Sequence, residues 1–487
     1  MKYIITIHRI LGTVFSILFL MWFLTGIVMI YHHYPSLYGS KALEYSRESA
    51  SASALSLDSL LSGIDVPTDS ITDIEVSVMS GTTLLNIKRG GEEFLYDCNT
   101  GKKVDRLYKP ALDFIAQSWC NAPITSTDSL DEIDVWLIGA YPFNEYPVYK
   151  YTFDDDEKTE LYLSSRTGRG LQLTTSESRL WAWLGAIPHW IYIKQLRATG
   201  RQPWTDVVLW ISGIGILMTL SGIIVGIRSM VLARRRKKLC PYKKPMFRWH
   251  HISGLIFGFF VLTFIFSGFM SLQKVPTSLV PYNEDFSAEA FARGQEFINP
   301  SDYTISDYRK FMNNSDVKRI TLTVCAGMPV YKIEKADDCF LIRANNTTND
   351  TLTIDKNVCK EMARRSVSGG TTYTVSVIND YEPGYSSVRE SRKRELPVYK
   401  VAVNDEFDSR FYITPRSAAA YYSNSNSDMR GILYNTLHSL NCKFFYEHQG
   451  LRKTILWIMM IGGAIVSLTG VVLGWRYLKR KSKQIKK

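Results

Sequence analysis

Four long apolar stretches limit what this chain can fold into more than any other feature of its sequence. Each stretch can cross a hydrocarbon core of about 30 Å, because a helix spanning this thickness needs ~20 residues at ~1.5 Å each. Long polar segments separate the stretches, so the chain is predicted to be a membrane protein rather than a purely soluble enzyme. The stretches cover residues 10–31, 207–227, 252–272 and 454–475.

The distribution of charge predicts how these stretches are oriented. The net charge is +12, and the segments 1–9, 228–249 and 476–487 together contain 18 Lys and Arg and no Asp or Glu. Short basic segments beside membrane helices stay in the cytoplasm. Both termini and the 228–249 loop are therefore predicted to be cytoplasmic, and residues 34–206 and 273–453 to lie outside. Basic runs beside membrane spans usually determine topology, so nucleic-acid binding is not indicated.

The cysteines follow the same division. Six of the seven lie in segments predicted to be outside, and only Cys240 lies inside. In an oxidising compartment the six can form disulfides, with a pairing that the sequence leaves open. None stands in a CxxC pair, so neither a thiol redox motif nor a zinc knuckle is predicted.

A tandem repeat organises the whole chain. HRILGTVFSILFLMWFLTG at 8–26 aligns without a gap with HHISGLIFGFFVLTFIFSG at 250–268. EYPVYK at 145–150 matches ELPVYK at 395–400, IPHW matches TLHS, and SGIIVGIR matches TGVVLGWR. Each unit is therefore predicted to contain a span, an extracytoplasmic domain, a short amphipathic segment and a second span.

The repeat predicts the fold class, a four-helix transmembrane bundle from a tandem duplication with two α+β domains outside. Period-two alternation of apolar residues, as in TDIEVSVM and RITLTVC, indicates strands in both polar segments. The predicted parts are transmembrane helix 1 (1–33), a first periplasmic domain (34–178), an interfacial helix (179–198), transmembrane helix 2 (205–228), a basic cytoplasmic loop (229–249), transmembrane helix 3 (250–273), a second periplasmic domain (274–428), an interfacial helix (429–442), transmembrane helix 4 (454–475) and a basic cytoplasmic tail (476–487).

Histidine is distributed unevenly along the chain. All eight histidines lie in or beside apolar segments, and residues 34–188 and 252–437, about 70% of the chain, contain none. Ionisable groups at membrane depth are costly, so they tend to mark ion, proton or cofactor sites. A role at the lipid headgroups is the alternative that the sequence leaves open.

The repeat places four of these histidines in two pairs, His8 with His250 and His189 with His438. Two imidazoles that face each other from two helices suit the axial positions of a haem iron. Zinc prefers three or four closely spaced ligands, so haem fits the count better. The alternative ligands are His32, His33, His251 and His448.

Four arginines are candidate partners for the carboxylates of such a cofactor. Arg9, Arg228 and Arg476 lie at the cytoplasmic ends of predicted spans, and Arg197 lies near the opposite side. Arginines at these positions can equally be snorkelling residues without a ligand.

In the order and repetition of these motifs, the chain resembles the PepSY-associated transmembrane family, whose members include bacterial inner-membrane siderophore and ferric reductases. The resemblance rests on HRILG and HHISG at the start of spans 1 and 3, on the TG and SG that close them, and on IPH, TLH and the Gly-x-Arg endings of spans 2 and 4. DCNTGKKV at 97–104 and SSRTGRG at 164–170 resemble a strand–turn element of PepSY modules. The second repeat has TPRSA at 414–418 in its place, which departs from the family pattern.

The resemblance implies a haem b protein of the bacterial inner membrane, with two haems held by His8, His189, His250 and His438. It implies electron transfer across the membrane to a ferric siderophore or another ferric chelate, free or on a periplasmic carrier. No GxGxxG follows a strand, so the electron donor is expected to be separate, either quinol or a cytoplasmic reductase. The alternative functions are a non-enzymatic sensor or peptidase-binding membrane protein and a proton-coupled transporter. No catalytic acid, base or nucleophile is predicted.

Overall fold

The structure is a computed structural model that describes residues 1–37, 54–62, 70–79, 82–139, 144–282, 286–303, 307–312, 316–344, 350–386 and 394–485. The chain divides into two compact units. A membrane unit comprises Met1–Pro35, Glu177–Val275 and Met429–Lys487, and an outer unit comprises Ser36–Ser176 and Pro276–Asp428.

The membrane unit is built on four long helices, which confirms the prediction of four candidate membrane spans. They are α1 (Lys2–Met29), α7 (Gln202–Arg235), α8 (Pro245–Met270) and α15 (Gln449–Ile485). The most apolar window of each helix has a mean hydropathy of 2.1 or 2.2. Helices α7 and α15 continue beyond the predicted spans into the basic segments, because Arg and Lys are good helix formers and no Pro or Gly interrupts them.

The four helices form a ring in which each packs against two neighbours. Helix α1 contacts α7 and α15, and α8 contacts the same two helices. Helices α1 and α8, which the predicted repeat aligns, are therefore diagonal partners. The bundle core contains Phe19, Phe23, Phe264, Met218, Leu456 and Met460.

The middle layer of the bundle is apolar. The segments 10–29, 207–227, 252–270 and 454–475 contain no Asp, Glu, Lys, Arg or His. Hydroxyl groups in this layer donate to carbonyl oxygens of their own helices, a bond that satisfies a polar group in an apolar environment. Such bonds are formed by Thr25, Thr219, Ser221, Ser267, Ser467 and Thr469.

Each of the two predicted interfacial helices is broken into short pieces. The first segment contains α4 (Ser176–Leu184), α5 (Ala186–His189) and α6 (Lys194–Arg197). The break after α4 falls at Gly185, whose backbone is not helical (φ −123°, ψ −91°). The second contains α12 (Ser425–Arg430), a π-helical turn (Gly431–Thr436), α13 (Leu437–Ser439) and α14 (Lys443–Glu447).

The outer unit contains three antiparallel sheets. One has seven strands in the order β11-β10-β9-β8-β1-β2-β3, and the others have four strands each, in the orders β4-β5-β6-β7 and β12-β13-β14-β15. The strands are β1 (Ile71–Met79), β2 (Thr82–Arg89), β3 (Glu92–Asp97), β4 (Ile124–Leu130), β5 (Val148–Phe153), β6 (Glu160–Ser164), β7 (Gly170–Thr174), β8 (Arg319–Cys325), β9 (Met328–Glu334), β10 (Cys339–Arg343), β11 (Thr351–Leu352), β12 (Tyr373–Ile378), β13 (Val398–Val403), β14 (Arg410–Ile413) and β15 (Ala420–Ser423). The helices are α2 (Leu57–Ser62), α3 (Lys109–Trp119), α9 (Ala288–Arg293), α10 (Arg309–Met312) and α11 (Lys356–Ser366), with 3₁₀ turns at Val135–Leu137 and Pro300–Tyr303.

The seven-stranded sheet joins the two parts of the chain that the sequence predicts as separate domains. Strand β1 pairs with β8, and Ile74 lies opposite Leu322. On the same strands, Arg319 forms ion pairs with Glu75 at 3.4 Å and with Glu334 at 2.6 Å. A shared sheet and a shared ion-pair network therefore make the outer unit one body.

The turn that departs from the family pattern keeps its conformation. Gly168 follows Thr167 in the first repeat with φ +68°, and Ala418 follows Ser417 in the second with φ +49°. An alanine in this left-handed region costs ~1 kcal/mol or more relative to glycine, so the second turn is retained at some cost. All seven cysteines have free thiols, and three of them are buried.

Candidate cofactor site

The first histidine pair consists of His8 on α1 and His250 on α8. Their ring centres are 6.2 Å apart across the diagonal of the bundle. His8 Nδ1 donates to the carbonyl of Met218 at 3.1 Å, and His250 Nδ1 donates to the carbonyl of Val466 at 3.2 Å. These acceptors lie on the other diagonal, α7 and α15, so all four helices contribute to the pair.

The second histidine pair consists of His189 on α5 and His438 on α13, with ring centres 6.0 Å apart. Here side chains replace carbonyls as the partners. His189 Nδ1 is 3.1 Å from Oγ1 of Thr25, and His438 Nδ1 is 2.9 Å from Oγ of Ser267. The hydroxyls belong to α1 and α8, so the long helices position histidines carried by the short ones.

The hydrogen bonds engage Nδ1 in all four histidines. A carbonyl oxygen only accepts, so Nδ1 of His8 and of His250 must carry the proton. Thr25 and Ser267 can direct their single hydroxyl proton to carbonyls of their own helices and then accept from Nδ1 of His189 and His438. In this arrangement Nε2 is the deprotonated nitrogen of each ring, and a histidine whose Nδ1–H is bonded in this way is oriented for metal ligation.

Burial keeps the second pair neutral. Burial lowers the pKa of His189 to about 3, with a smaller contribution from the neighbouring His438, and burial lowers the pKa of His438 to about 4. Neutral imidazole is the form that binds metals. Both rings are therefore in the ligating form at physiological pH.

A glycine lies against Cε1 of each histidine. At Gly222 an added Cβ would displace the ring, whereas at the other three positions it would be in van der Waals contact with the ring. The distances from an ideal Cβ to Cε1 are 2.6 Å for Gly222 and His8, 3.7 Å for Gly470 and His250, 3.6 Å for Gly26 and His189, and 3.9 Å for Gly268 and His438.

A cavity of about 270 Å³ contains the first pair. Its volume is close to the lower end of the range of roughly 300–1,000 Å³ that small-molecule pockets have. Gly12 and Gly254 face it with nothing within 4 Å of an ideal Cβ. The apolar part of the wall includes Phe19 and Val261, so the cavity suits a flat apolar group.

The pairs fit an iron with two axial ligands. Imidazoles on opposite faces of one metal, with metal–nitrogen bonds of about 2 Å, have ring centres about 6 Å apart. Both observed separations agree with this value. Within the described part of the chain, no group of three or more His, Cys, Asp and Glu could hold a metal, so no zinc-type ligand set is present there.

The four predicted arginines have different environments. Arg9 lines the cavity, with its guanidinium 4.7 Å from the ring centre of Tyr477. Arg228 and Arg476 are exposed and do not line this cavity. Arg197 is 2% exposed and lies over the rings of Trp204 and Tyr192, which it contacts as a cation–π partner.

The four alternative histidines do not belong to either facing pair. His32 stacks on Trp181 with ring centres 3.9 Å apart, and His33 is exposed. His448 is exposed and bonds the carbonyl of Phe444 at 2.9 Å. His251 lines the cavity, but it is His250 that faces His8.

Sequence reasoning missed several members of the site. It identified the glycines of the [ST]G motifs but assigned no role to the hydroxyls beside them, Thr25, Ser267 and Thr469, which lie 3.1, 2.9 and 3.0 Å from histidine Nδ1 atoms. The repeated motif itself was the available signal. The carbonyls of Met218 and Val466 gave no signal, because every residue carries one.

Comparison with known protein families places the chain in one of them. A family model described as "PepSY-associated TM region" matches residues 5–296, which include α1, α7, α8 and three of the four paired histidines. No curated protein matches the chain.

Proposed function

Since the chain belongs to the family of the PepSY-associated TM region, we propose that it is a haem b reductase of the bacterial inner membrane. It passes electrons from the cytoplasmic side to a ferric siderophore or another ferric chelate outside. One haem binds between His8 and His250, and a second between His189 and His438.

The observation that carries this proposal is the set of four histidines whose Nδ1 is hydrogen-bonded within the bundle. Each of them stands about 6 Å from a partner that is held in the same way. Histidines that serve only in packing have no reason to share an Nδ1 hydrogen bond, a partner distance and a facing glycine.

A tandem duplication accounts for the arrangement. The contacts recur at repeat-related positions. Met218 and Val466 bond the first pair, Thr25 and Ser267 bond the second, and the numbers within each couple differ by 248 and 242. The pairing of Ile74 with Leu322, also 248 apart, supports the same origin for the outer unit.

The distribution of basic residues supports the proposed orientation. The end of the bundle near His8 carries the three segments that contain Lys and Arg without Asp or Glu. The first pair is then on the cytoplasmic side and the second on the periplasmic side, with the outer unit in the periplasm.

Haem b supplies an iron that alternates between Fe(III) and Fe(II). The residues of the chain bind and insulate it. The carbonyls of Met218 and Val466 and the hydroxyls of Thr25 and Ser267 orient the four imidazoles, and the apolar layer between the pairs excludes water. In this proposal the ferric chelate is the substrate.

The partners follow from this chemistry. Reduction to Fe(II) weakens the hold of hard oxygen ligands on iron, so reduction releases the metal from a chelate. The outer unit positions the chelate or its periplasmic carrier. Quinol or a cytoplasmic reductase supplies the electrons.

An absorption spectrum tests the proposal. Protein purified in detergent after haem-replete expression should show a Soret band that shifts on addition of dithionite, with sharp α and β bands typical of two-histidine haem. A pyridine haemochrome assay should give about two haems per chain. A colourless protein would contradict the reductase and favour a non-enzymatic sensor, a peptidase-binding protein or a transporter.

A further inference from the structure

The wall of the cavity at the first histidine pair is asymmetric. Two arginines line it, Arg9 on α1 and Arg480 on α15, and none of the described lining residues is acidic. The segment before and at the start of α8 contributes Tyr242, Phe247 and His251. The part of the wall formed by α1 and α15 therefore carries cations, and the part formed by residues 242–251 carries aromatic rings.

The two arginines line the cavity from neighbouring helices. Arg9 directly follows His8, and its guanidinium lies 4.7 Å from the ring centre of Tyr477. Arg480 is one helical turn beyond Tyr477 on α15. Because side chains on a helix lean toward its N-terminus, the side chain of Arg480 is directed back toward Tyr477. Both arginines therefore lie near Tyr477 at the wall of the cavity.

This asymmetry departs from the repeat. The histidines, glycines and carbonyls of the first pair have counterparts in the other half, but Arg9 aligns with His251 and Arg480 aligns with Leu232. A ligand held only by the repeated residues would meet nearly the same surroundings after a half-turn. The arginines remove this equivalence.

We propose that Arg9 and Arg480 bind the carboxylates at one edge of the macrocycle held by the first histidine pair and so select one of its two orientations. The inference rests on the proposed function. The chemistry is a charge-assisted guanidinium–carboxylate contact, which is strong where part of the surroundings is apolar. Neither arginine touches the iron, so both are positioning residues.

The test compares two charge-matched double variants in the purified full-length protein. Arg9→Gln with Arg480→Gln removes the two arginines of the cavity. Arg228→Gln with Arg476→Gln removes two arginines at the same end of the bundle that do not line the cavity. The measurements are the rate of haem transfer to apomyoglobin, the midpoint potential in a redox titration and the Soret circular dichroism.

The cavity variant should lose haem from the first site roughly tenfold faster than the control. Its midpoint potential should fall, because the oxidised haem has one more positive charge than the reduced haem and nearby cations disfavour it. Its Soret dichroism should weaken, since two orientations give opposing signals. Arg9→Lys and Arg480→Lys keep the charge and should retain most of the potential while losing part of the haem retention.

Equal behaviour of the two double variants would overturn the proposal while leaving the haem sites intact. A colourless wild-type protein would overturn this inference and the proposed function together, so the two failures are distinguishable. If the double glutamine variant does not fold, the rate of haem loss from Arg9→Lys and from Arg480→Lys tests the proposal instead. Haem loss unchanged in both of them overturns the proposal.

Discussion

The two histidine pairs have similar ring separations but are held by different means. His8 and His250 stand on long helices and donate to backbone carbonyls, and His250 Nδ1 is also 3.0 Å from the Thr469 hydroxyl. His189 and His438 stand on short helices, and their Nδ1 atoms contact hydroxyls. Carbonyls are fixed by helix geometry, and hydroxyls belong to side chains. The backbone of the bundle therefore contributes to the position of both rings of the first pair, whereas the hydroxyl partners of the second pair can be exchanged singly.

The local backbone differs as well. A break at Gly185 precedes His189, and a π-helical turn over Gly431–Thr436 precedes His438. π-Helical turns are rare in proteins as a whole, but those that occur are often found at functional sites. The break at Gly185 ends α4, whereas the π-helical turn connects α12 to α13 without a gap, so the two histidines are placed by two different local conformations.

The largest effect should come from removing a ligand. His8→Ala or His250→Ala should abolish the signal of one haem and His189→Ala or His438→Ala that of the other, with loss of about half of the bound haem in each case. Haem content and redox titration of each variant measure this. If every single substitution removed both signals equally, the assignment of two independent pairs would be wrong.

A glycine comparison sharpens the contrast between the pairs. In Gly222→Ala the new Cβ would lie 2.6 Å from His8 Cε1, whereas in Gly268→Ala it would lie 3.9 Å from His438 Cε1. The first contact forces His8 to move, at a cost of ~1–3 kcal/mol, and the second is an ordinary van der Waals contact. We expect Gly222→Ala to lose much of the haem at the first pair and Gly268→Ala to resemble the wild type. Similar haem content in the two variants would contradict the packing described.

Removal of the hydroxyl of Thr25 or Ser267 should affect only the second pair. Thr25→Val or Ser267→Ala leaves a histidine Nδ1 without this hydrogen-bond partner, and loss of such a partner weakens metal binding by about 10–100-fold. Thr25→Ser keeps the hydroxyl and should retain affinity. Thr263→Val removes an exposed hydroxyl of α8 that contacts no histidine and serves as the control. Haem titration of the apoprotein measures each affinity, and an equal loss at the first pair would break the comparison.

The smallest effects are expected at the unpaired histidines. His32→Ala removes a ring stacked on Trp181, and His448→Ala removes an exposed ring that bonds Phe444. Haem content should stay within about twofold of that of the wild type, since neither ring belongs to a pair. The midpoint potentials should stay close to the wild-type values for the same reason. A lost haem signal in either variant would reassign the ligands of the second pair.

The sequence predicted the spans, the family and the juxtaposition of the histidines within each pair. Length and apolarity fix a membrane helix, and repeat spacing alone brought His8 to His250 and His189 to His438. The PepSY-associated family match confirms the resemblance drawn from HRILG, HHISG and the [ST]G motifs.

Other features were beyond the sequence because they depend on tertiary packing. Strands β1 and β8 belong to different halves of the chain, and their residues do not indicate that the two strands pair with each other. Arg480 belongs to a basic tail, and the sequence does not distinguish it from the other Lys and Arg residues there. Only the path of α15 in the structure places it at the cavity. The interfacial segments read as continuous amphipathic helices, yet Gly185 and the π-helical turn interrupt them.

The apolar layer between the two pairs has a consequence for energy. It contains no titratable side chain of the four kinds that commonly carry protons, Asp, Glu, His and Lys, and its hydroxyls are committed to their own helices. An electron that crosses this layer therefore moves without a proton, and one elementary charge moving through the membrane potential changes free energy by ~2.3 kcal/mol per 100 mV. In the proposed orientation, a voltage negative inside drives the electron outward. The same sites would deliver electrons faster in an energised cell than in a depolarised one, and each electron delivered would discharge the membrane slightly.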